Sequence, residues 1–427
     1  MAKENKGILN DCTVNFKLTQ ITPMIHFKEE TGATLRATEL KPKFDRYLSH
    51  YFKKLGEKPE ESWFLFGKEQ WEEAHELASY DYKVKIKALG KNDSSKSYYE
   101  KRKEKGKDKI YISGAYFAIN TNPKPSSFFD KIEISFLCKH KELRQIIEKQ
   151  FPVFMAASTF GFRQNKGYGY FYCMECDKSG QQQKQWIKTY ISQYQNQDNE
   201  RFQLFELVWK NHRELYYKDV LNIIKDFNQK LKSGMNLNGA YVSSIMLKEY
   251  EYEFKHRVIN EKKAMKIKLD EEEFAVGGTK GFSNADKEKE VRYIRGLMGF
   301  ADHYDFKKVK RKDNNGQCDI EFLLKVEEEN VEMEKFRFPN PIRFIPSVKL
   351  RSVFLLIDFE AINLLQKKAD KLKIIFSPNK EKNKYDIKPV EAMIPTKSEF
   401  NTENMFDWLC GREFKWKRIN YKMCKVD

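Results

Sequence analysis

The chain has 427 residues and a net charge of +17, with 79 Lys and Arg against 62 Asp and Glu. That length exceeds one ordinary core and favours two domains. The basic excess points to a polyanionic partner, a nucleic acid or an anionic membrane surface, unless it reflects only a lysine-rich composition. No run of about 18 apolar residues is present to form a transmembrane helix.

The opening MAKENKGILND lacks the apolar centre of a signal peptide, so a cytoplasmic protein is expected. Seven cysteines in a chain this long do not make a disulfide framework. Cys173 and Cys176 form a CxxC without a second pair, so neither a metal nor a cofactor is expected.

Residues 12–21, CTVNFKLTQI, alternate apolar and polar and predict a half-buried strand. The run from Leu35 places Phe44, Tyr47, Leu48, Tyr51, Phe52 and Leu55 at helical spacing. Pro42 suits its first turn and Gly56 its stop. Short strands are predicted over 63–67 and 82–89. Residues 91–109 are almost devoid of apolar side chains and read as a mobile or hairpin insertion. Residues 110–119 and 131–138 follow as strands. Residues 141–162 form a helical pattern that Pro152 is expected to kink or divide. GFRQNKGYGYF (161–171) and the strand-like YGYFYCMEC close the segment.

The resulting order, βαββαβ, is the ferredoxin-like pattern also used by RNA-recognition motifs. The polar stretch 181–200 is a linker or docking helix, which gives domains over 1–180 and 201–427. In the second, 202–233 and 239–254 read as helices, and 283–300 as a helix capped near Ser283 or Asn284. Strands follow in CDIEFLLKV, FRFPNPIRFIPSVKL, SVFLLIDF and KLKIIF. The fold class is therefore α+β, two ferredoxin-like domains with helical insertions.

The glycine stretch fails as a dinucleotide fingerprint, because its glycines lie between helix and strand, and as a Walker loop, because no Gly-Lys-Ser/Thr follows. Two readings remain. It is a turn exploiting positive φ, or a loop that lets an RNA backbone approach while Arg163 and Lys166 add charge. Tyr168, Tyr170 and Phe171 fit the core better than base stacking. On the first helix, Lys41, Lys43, Arg46, Lys53 and Lys54 form either an RNA-facing or a merely solvated basic face.

The combination GATLRATELKPKFDRYLSHYF followed by GFRQNKGYGYF resembles the RAMP superfamily of CRISPR-associated proteins. Gly161, Arg163, Gly167, Gly169 and Phe171 fill that superfamily's GxRxxxGxGxF loop. The segment Thr34–Phe52, with VRYIRGLMGF and FRFPNPIRFIPSVKL, is similar to the type III-B (Cmr) effector subunit at the guide-RNA 3′ end. The resemblance implies a non-catalytic antiviral-defence subunit that binds guide RNA, target RNA or both, beside other RAMP subunits and away from membranes. The RNA contacts it implies are Arg36, Lys41, Lys43, Arg46, Gly161, Arg163, Lys166, Gly167, Tyr168, Gly169, Arg292 and Arg295.

The alternative is a histidine-dependent RAMP endoribonuclease that processes CRISPR repeat RNA, with His26 or His50 as the titrating group. The acidic runs at 270–273 and 327–330 read as solvated charge rather than as a catalytic metal site.

Overall fold

The computed structural model describes residues 12–25, 34–65, 78–90, 99–104, 107–112, 126–173, 182–195, 201–210, 213–237, 240–253, 258–275, 288–301, 303–312, 317–329, 331–333, 338–383 and 385–426. Contacts divide the chain into two units. The first comprises 1–226, 343–357 and 411–427, and the second 227–342 and 358–410.

The first unit opens with β1 (Thr13–Gln20), α1 (Ala37–Leu55), β2 (Lys83–Leu89), β3 (Lys131–Leu137), α2 (Lys141–Ala157) and β4 (Phe171–Tyr172). The sheet order is β2-β3-β1-β4, with antiparallel pairing throughout. This is the split βαββαβ arrangement anticipated from the pattern. Alternation sets the faces: in β3, Ile132, Ile134 and Phe136 are fully buried while the residues between them are not. Phe44 of α1 packs its ring on Phe136, Phe151 and Phe154 at centroid distances of 5.8, 5.4 and 5.1 Å, so sheet and both helices share one aromatic core.

Several boundaries differ from the sequence reading. The first helix begins at Ala37, so Pro42 lies inside it rather than in its first turn. Its missing N–H forfeits one intrahelical bond. Pro152 likewise sits within an undivided α2. Where a strand over 63–67 is expected, a 3-10 turn spans Glu61–Trp63 and a single bridge joins Phe64 to Tyr80, while residues 66 and 67 lie outside the described set. The lysine-rich insertion contains a hairpin, Tyr99–Glu104 with Lys107–Ile112, while residues 113–119 lie outside the described set. The segment at 181–200 contains α3 (Gln182–Ser192), whose Gln183, Ile187, Tyr190 and Ile191 are buried.

Residues 202–209 are strand β5 (Phe202–Trp209), not the start of a helix; α4 (Tyr217–Asn228) follows. Later come β6 (Ile342–Pro346), β7 (Ser352–Asp358), α5 (Phe359–Lys367), β8 (Glu413–Trp416) and β9 (Ile419–Lys425). The strands form a five-stranded sheet in the order β6-β7-β5-β9-β8. The chain order β5-α4-β6-β7-α5-β9 repeats the ferredoxin-like pattern, with β8 added at the edge.

Two insertions interrupt this second repeat, after α4 and after α5, and their strands together build the eight-stranded sheet of the second unit. In that unit, 239–254 holds a short hairpin strand and the helix Ile245–Glu253. Within the predicted helix over 283–300, the described residues from 288 onward form a strand, Glu290–Arg292, and a 3-10 turn, Ile294–Met298, while the expected cap at Ser283 or Asn284 lies outside the described residues. Among the described residues no helix is long and apolar enough to cross a membrane.

One ionic knot braces α1 from within. Lys41 Nζ lies 2.6 Å from Asp45 Oδ2, 3.0 Å from the Tyr80 carbonyl and 3.2 Å from Ser79 Oγ, while Tyr82 donates to Asp45 Oδ1 at 2.6 Å. Burial pushes the Asp45 carboxyl up, and Lys41 opposes that rise. Asp45→Ala should strand the Lys41 ammonium and cost about 3 kcal/mol in chemical denaturation. Lys41→Met combined with Asp45→Ala should recover part of that loss, the signature of direct coupling.

Candidate functional site

The glycine stretch links α2 to β4 and folds back upon the chain at 22–25. Phe162 N donates to the Ile25 carbonyl at 2.7 Å, Gly169 N to the Pro23 carbonyl at 2.9 Å, and Thr22 Oγ1 to the Gly167 carbonyl at 2.7 Å. Gly161, Arg163, Gly167 and Gly169 all have positive φ, between 62° and 79°. A Cβ on Gly161 would stand 2.6 Å from the Ile25 carbonyl oxygen, and one on Gly169 would collide with the Phe160 carbonyl. At Gly167 it would stand 2.7 Å from Ile224 Cδ1. The room these glycines leave is filled by the protein itself. Tyr168, Tyr170 and Phe171 are at most 1% exposed, so their rings belong to the core rather than to a stacking surface.

Lys43 fastens α1 to this loop. Its Nζ lies 3.0 Å from Glu39 Oε1 and 3.1 Å from the Thr159 carbonyl, donates to Gln164 Oε1, and sits 4.8 Å above the Phe160 ring. The same Glu39 oxygen accepts from Gly161 N at 2.8 Å. Desolvation pulls the Lys43 pKa down and Glu39 resists, while Arg343 and Arg46 depress it further. Those two guanidinium groups therefore act on Lys43 from nearby. Arg46 is exposed on α1. Arg343 comes from β6 and donates to the Ala157 carbonyl at 2.9 Å.

The loop meets the same strand. Lys166 bridges Phe344, and Phe344 N donates to the Asn165 carbonyl at 3.3 Å. The half-buried Lys166 ammonium is pulled down to about 8 by desolvation, with Arg163 adding like-charge repulsion. Arg163 lies over the Phe162 ring at 5.4 Å. Five cations from three distant segments, Lys43, Arg46, Arg163, Lys166 and Arg343, thus surround one loop.

The other expected contacts fall elsewhere. Lys41 is engaged by the Asp45 knot. Arg36 caps α1 through its backbone and is half-buried. Arg292 lies 2.7 Å from Glu399 and 3.0 Å from Glu290, while Arg295 lies 2.5 Å from Glu261 and over the Tyr304 ring at 4.2 Å. Both are ion-paired within the second unit. His50 packs on Tyr194 at 4.4 Å, and His26 and Cys176 lie outside the described residues. Sequence reasoning misses Glu39 and Arg343. Glu39 stands at i,i+4 to Lys43, a readable spacing; nothing local signals Arg343.

Two family models match the chain, the Cmr1 N-terminal domain over residues 11–235 and the Cmr1 C-terminal domain over 241–424. The chain belongs to the Cmr1 family. Membership makes it a RAMP-type subunit of the type III-B CRISPR effector, the Cmr complex. Among solved structures, the apo crystal structure of Cmr1 from Pyrococcus furiosus matches at 9% identity and a TM-score of 0.27, over 51% of this chain and 71% of that one. A superposition so loose carries no residue-level argument. No curated protein matches.

Loop geometry predicts a graded response in thermal melts. Gly56→Ala, with positive φ but open space around its Cβ, should cost about 1 kcal/mol. Gly169→Ala should cost more, about 3 kcal/mol or above, because the Phe160 backbone must move. Arg163→Gly should stabilise the loop by about 1 kcal/mol by relieving a left-handed arginine.

Proposed function

We propose that this Cmr1-family subunit is a non-catalytic RNA-binding component that grips the phosphate backbone of guide or target RNA at the glycine-rich loop. The observation that carries this reading is the convergence of Lys43, Arg46, Arg163, Lys166 and Arg343 on one loop. Glu39 pairs with Lys43, and the like charges of Arg343 and Arg46 still depress the Lys43 pKa. Like charges held together cost free energy in the unbound protein, as at Lys166, where Arg163 adds to the fall in pKa. A polyanion converts that cost into affinity, since phosphates supply the counter-charge and release condensed cations. Positively charged side chains rather than aromatic rings make up the patch, so recognition is of backbone and shape, with sequence left to base pairing between guide and target.

Among the described residues His140 stands 3.6 Å from Asp81 and His303 3.9 Å from Asp305, and neither pair involves a residue of the glycine-rich loop or of α1. His50 is a packed ring on α1, and RNA is held rather than cut. Purified protein should leave repeat and target RNAs intact, and His50→Ala should change neither RNA integrity nor binding. Specific cleavage lost in His50→Ala or His26→Ala would replace this reading with the ribonuclease.

The Lys166 shift sets a pH dependence. In free protein the ammonium loses its proton near pH 8, whereas phosphate contact favours the charged form. RNA binding therefore takes up a proton above pH 8, and affinity should fall as pH rises from about 8 to 10. Stability runs the other way. Unfolded Lys166 stays protonated to about 10.4, so the unfolded chain binds more protons between these values and the fold gains stability as pH rises through that window. At pH 7, Lys166→Met should thus melt higher than the parent, by about 1 kcal/mol once solvent screening is allowed for, yet bind RNA more weakly. Its slope of log affinity against log salt should be shallower by about 0.7. Unchanged affinity in both Lys166→Met and Arg46→Ala would refute the site.

A further inference from the structure

The second unit holds a cluster of metal-ligating side chains that the RNA reading does not use. His303 and Asp305 stand two residues apart on the strand His303–Arg311 and so share one face. Directly opposite Asp305 on the neighbouring strand, Gln317–Glu328, lies Glu321. One ligand atom from each of the three lies within 4.8 Å of the others, the only such group among the described residues.

Two carboxylates directly opposite across an antiparallel pair repel one another. The surroundings hold them there. Asn379 Nδ2 donates to Glu321 Oε2, and the Glu321 carbonyl accepts from Asn379 N and Asn383 Nδ2, each at 2.9 Å. His303 Nε2 stands 3.9 Å from Asp305 Oδ2. Two ligands bound to one first-row ion at about 2.1 Å lie roughly 3 Å apart, so closing separations of up to 4.8 Å takes a contraction of up to about 1.8 Å, shared among three side chains. Lys382 Nζ sits 3.0 Å from Glu321, and its side chain is 65% exposed. It supplies a single charge on a long, solvated arm that can withdraw from a divalent ion.

We propose that His303, Asp305 and Glu321 form a site for a divalent first-row transition ion, with water completing the coordination. One imidazole and two carboxylates suit Mn2+, Fe2+ or Zn2+. The Asn379 contact orients Glu321 as an outer partner of the site. The ion replaces Asp305–Glu321 repulsion with shared coordination, and so ties the two strands together.

Mn2+ is the probe of choice, because its preference for carboxylate and imidazole over thiolate keeps the cysteines out of the measurement. The full chain is titrated with Mn2+ while the loss of the free-ion electron paramagnetic resonance signal is followed. The expected result is one bound equivalent. His303→Ala and the milder Asp305→Asn should each weaken binding by about tenfold or more, and Lys382→Ala should tighten it. Thermal melts without metal verify that the variants fold, and Asp305→Asn carries the test if His303→Ala does not. Absence of binding at about millimolar Mn2+, or equal affinity in the parent and a folded ligand variant, overturns the proposal and leaves an ordinary ion-pair network with Lys382.

Discussion

The ammonium of Lys43 is the point on which the loop and the first helix are joined. It is withdrawn from solvent against the Phe160 ring and shared among Glu39, the Thr159 carbonyl and Gln164. Glu39 offsets the desolvation by pairing with Lys43, and also accepts from Gly161 N. Four residues with positive φ in nine positions make a chain that has no conformational reason to hold this shape alone. The latch on α1 and the backbone bonds to 22–25 impose the shape from outside.

From that anchor the electrostatics follow. The loop's return leg bridges β6, which belongs to the second ferredoxin-like sheet, and so brings Arg343 beside residues about 180 positions earlier. Gln183 of α3 reinforces the same junction, donating to the Pro346 carbonyl and to Tyr170 Oη, and accepting from Val348 N. The two ferredoxin-like sheets are in this way stitched within one unit by polar contacts that restrain the loop. Repulsion among its cations is therefore stored rather than dissipated. A net charge of +17 on the chain does not by itself place charge anywhere; convergence concentrates it at one loop.

Much of this is legible where one periodicity dominates a segment. β1, β3, α1 and the first half of α2 each bury a single face, and the alternation or helical spacing of their apolar residues shows it. Pattern misleads where burial is two-sided. Along β5, Phe202, Leu204, Phe205, Leu207 and Trp209 are all buried, and Phe205 breaks the strict alternation, so the run reads as a helix. Around Gly296, the Tyr293 ring occupies the space a Cβ would need, so a tight 3-10 turn forms where the apolar spacing suggests a longer helix. The site is half visible. Lys43, Arg46, Arg163 and Lys166 sit in the two segments that carry the family resemblance. Lys41 pairs with Asp45, whose burial spacing cannot reveal, and Arg343 reaches the loop only through strand pairing between distant parts of the chain.

If the loop's cations form an RNA-binding surface, lysine acetylation with and without RNA reports it residue by residue. A lysine with a depressed pKa presents more free amine near neutral pH, so Lys166 should be modified early in the free protein. Single-stranded RNA at low salt should protect Lys166 while leaving Lys83 and Lys87, exposed on β2, as reactive as before. Equal labelling of Lys166 in the presence and absence of bound RNA would contradict the account.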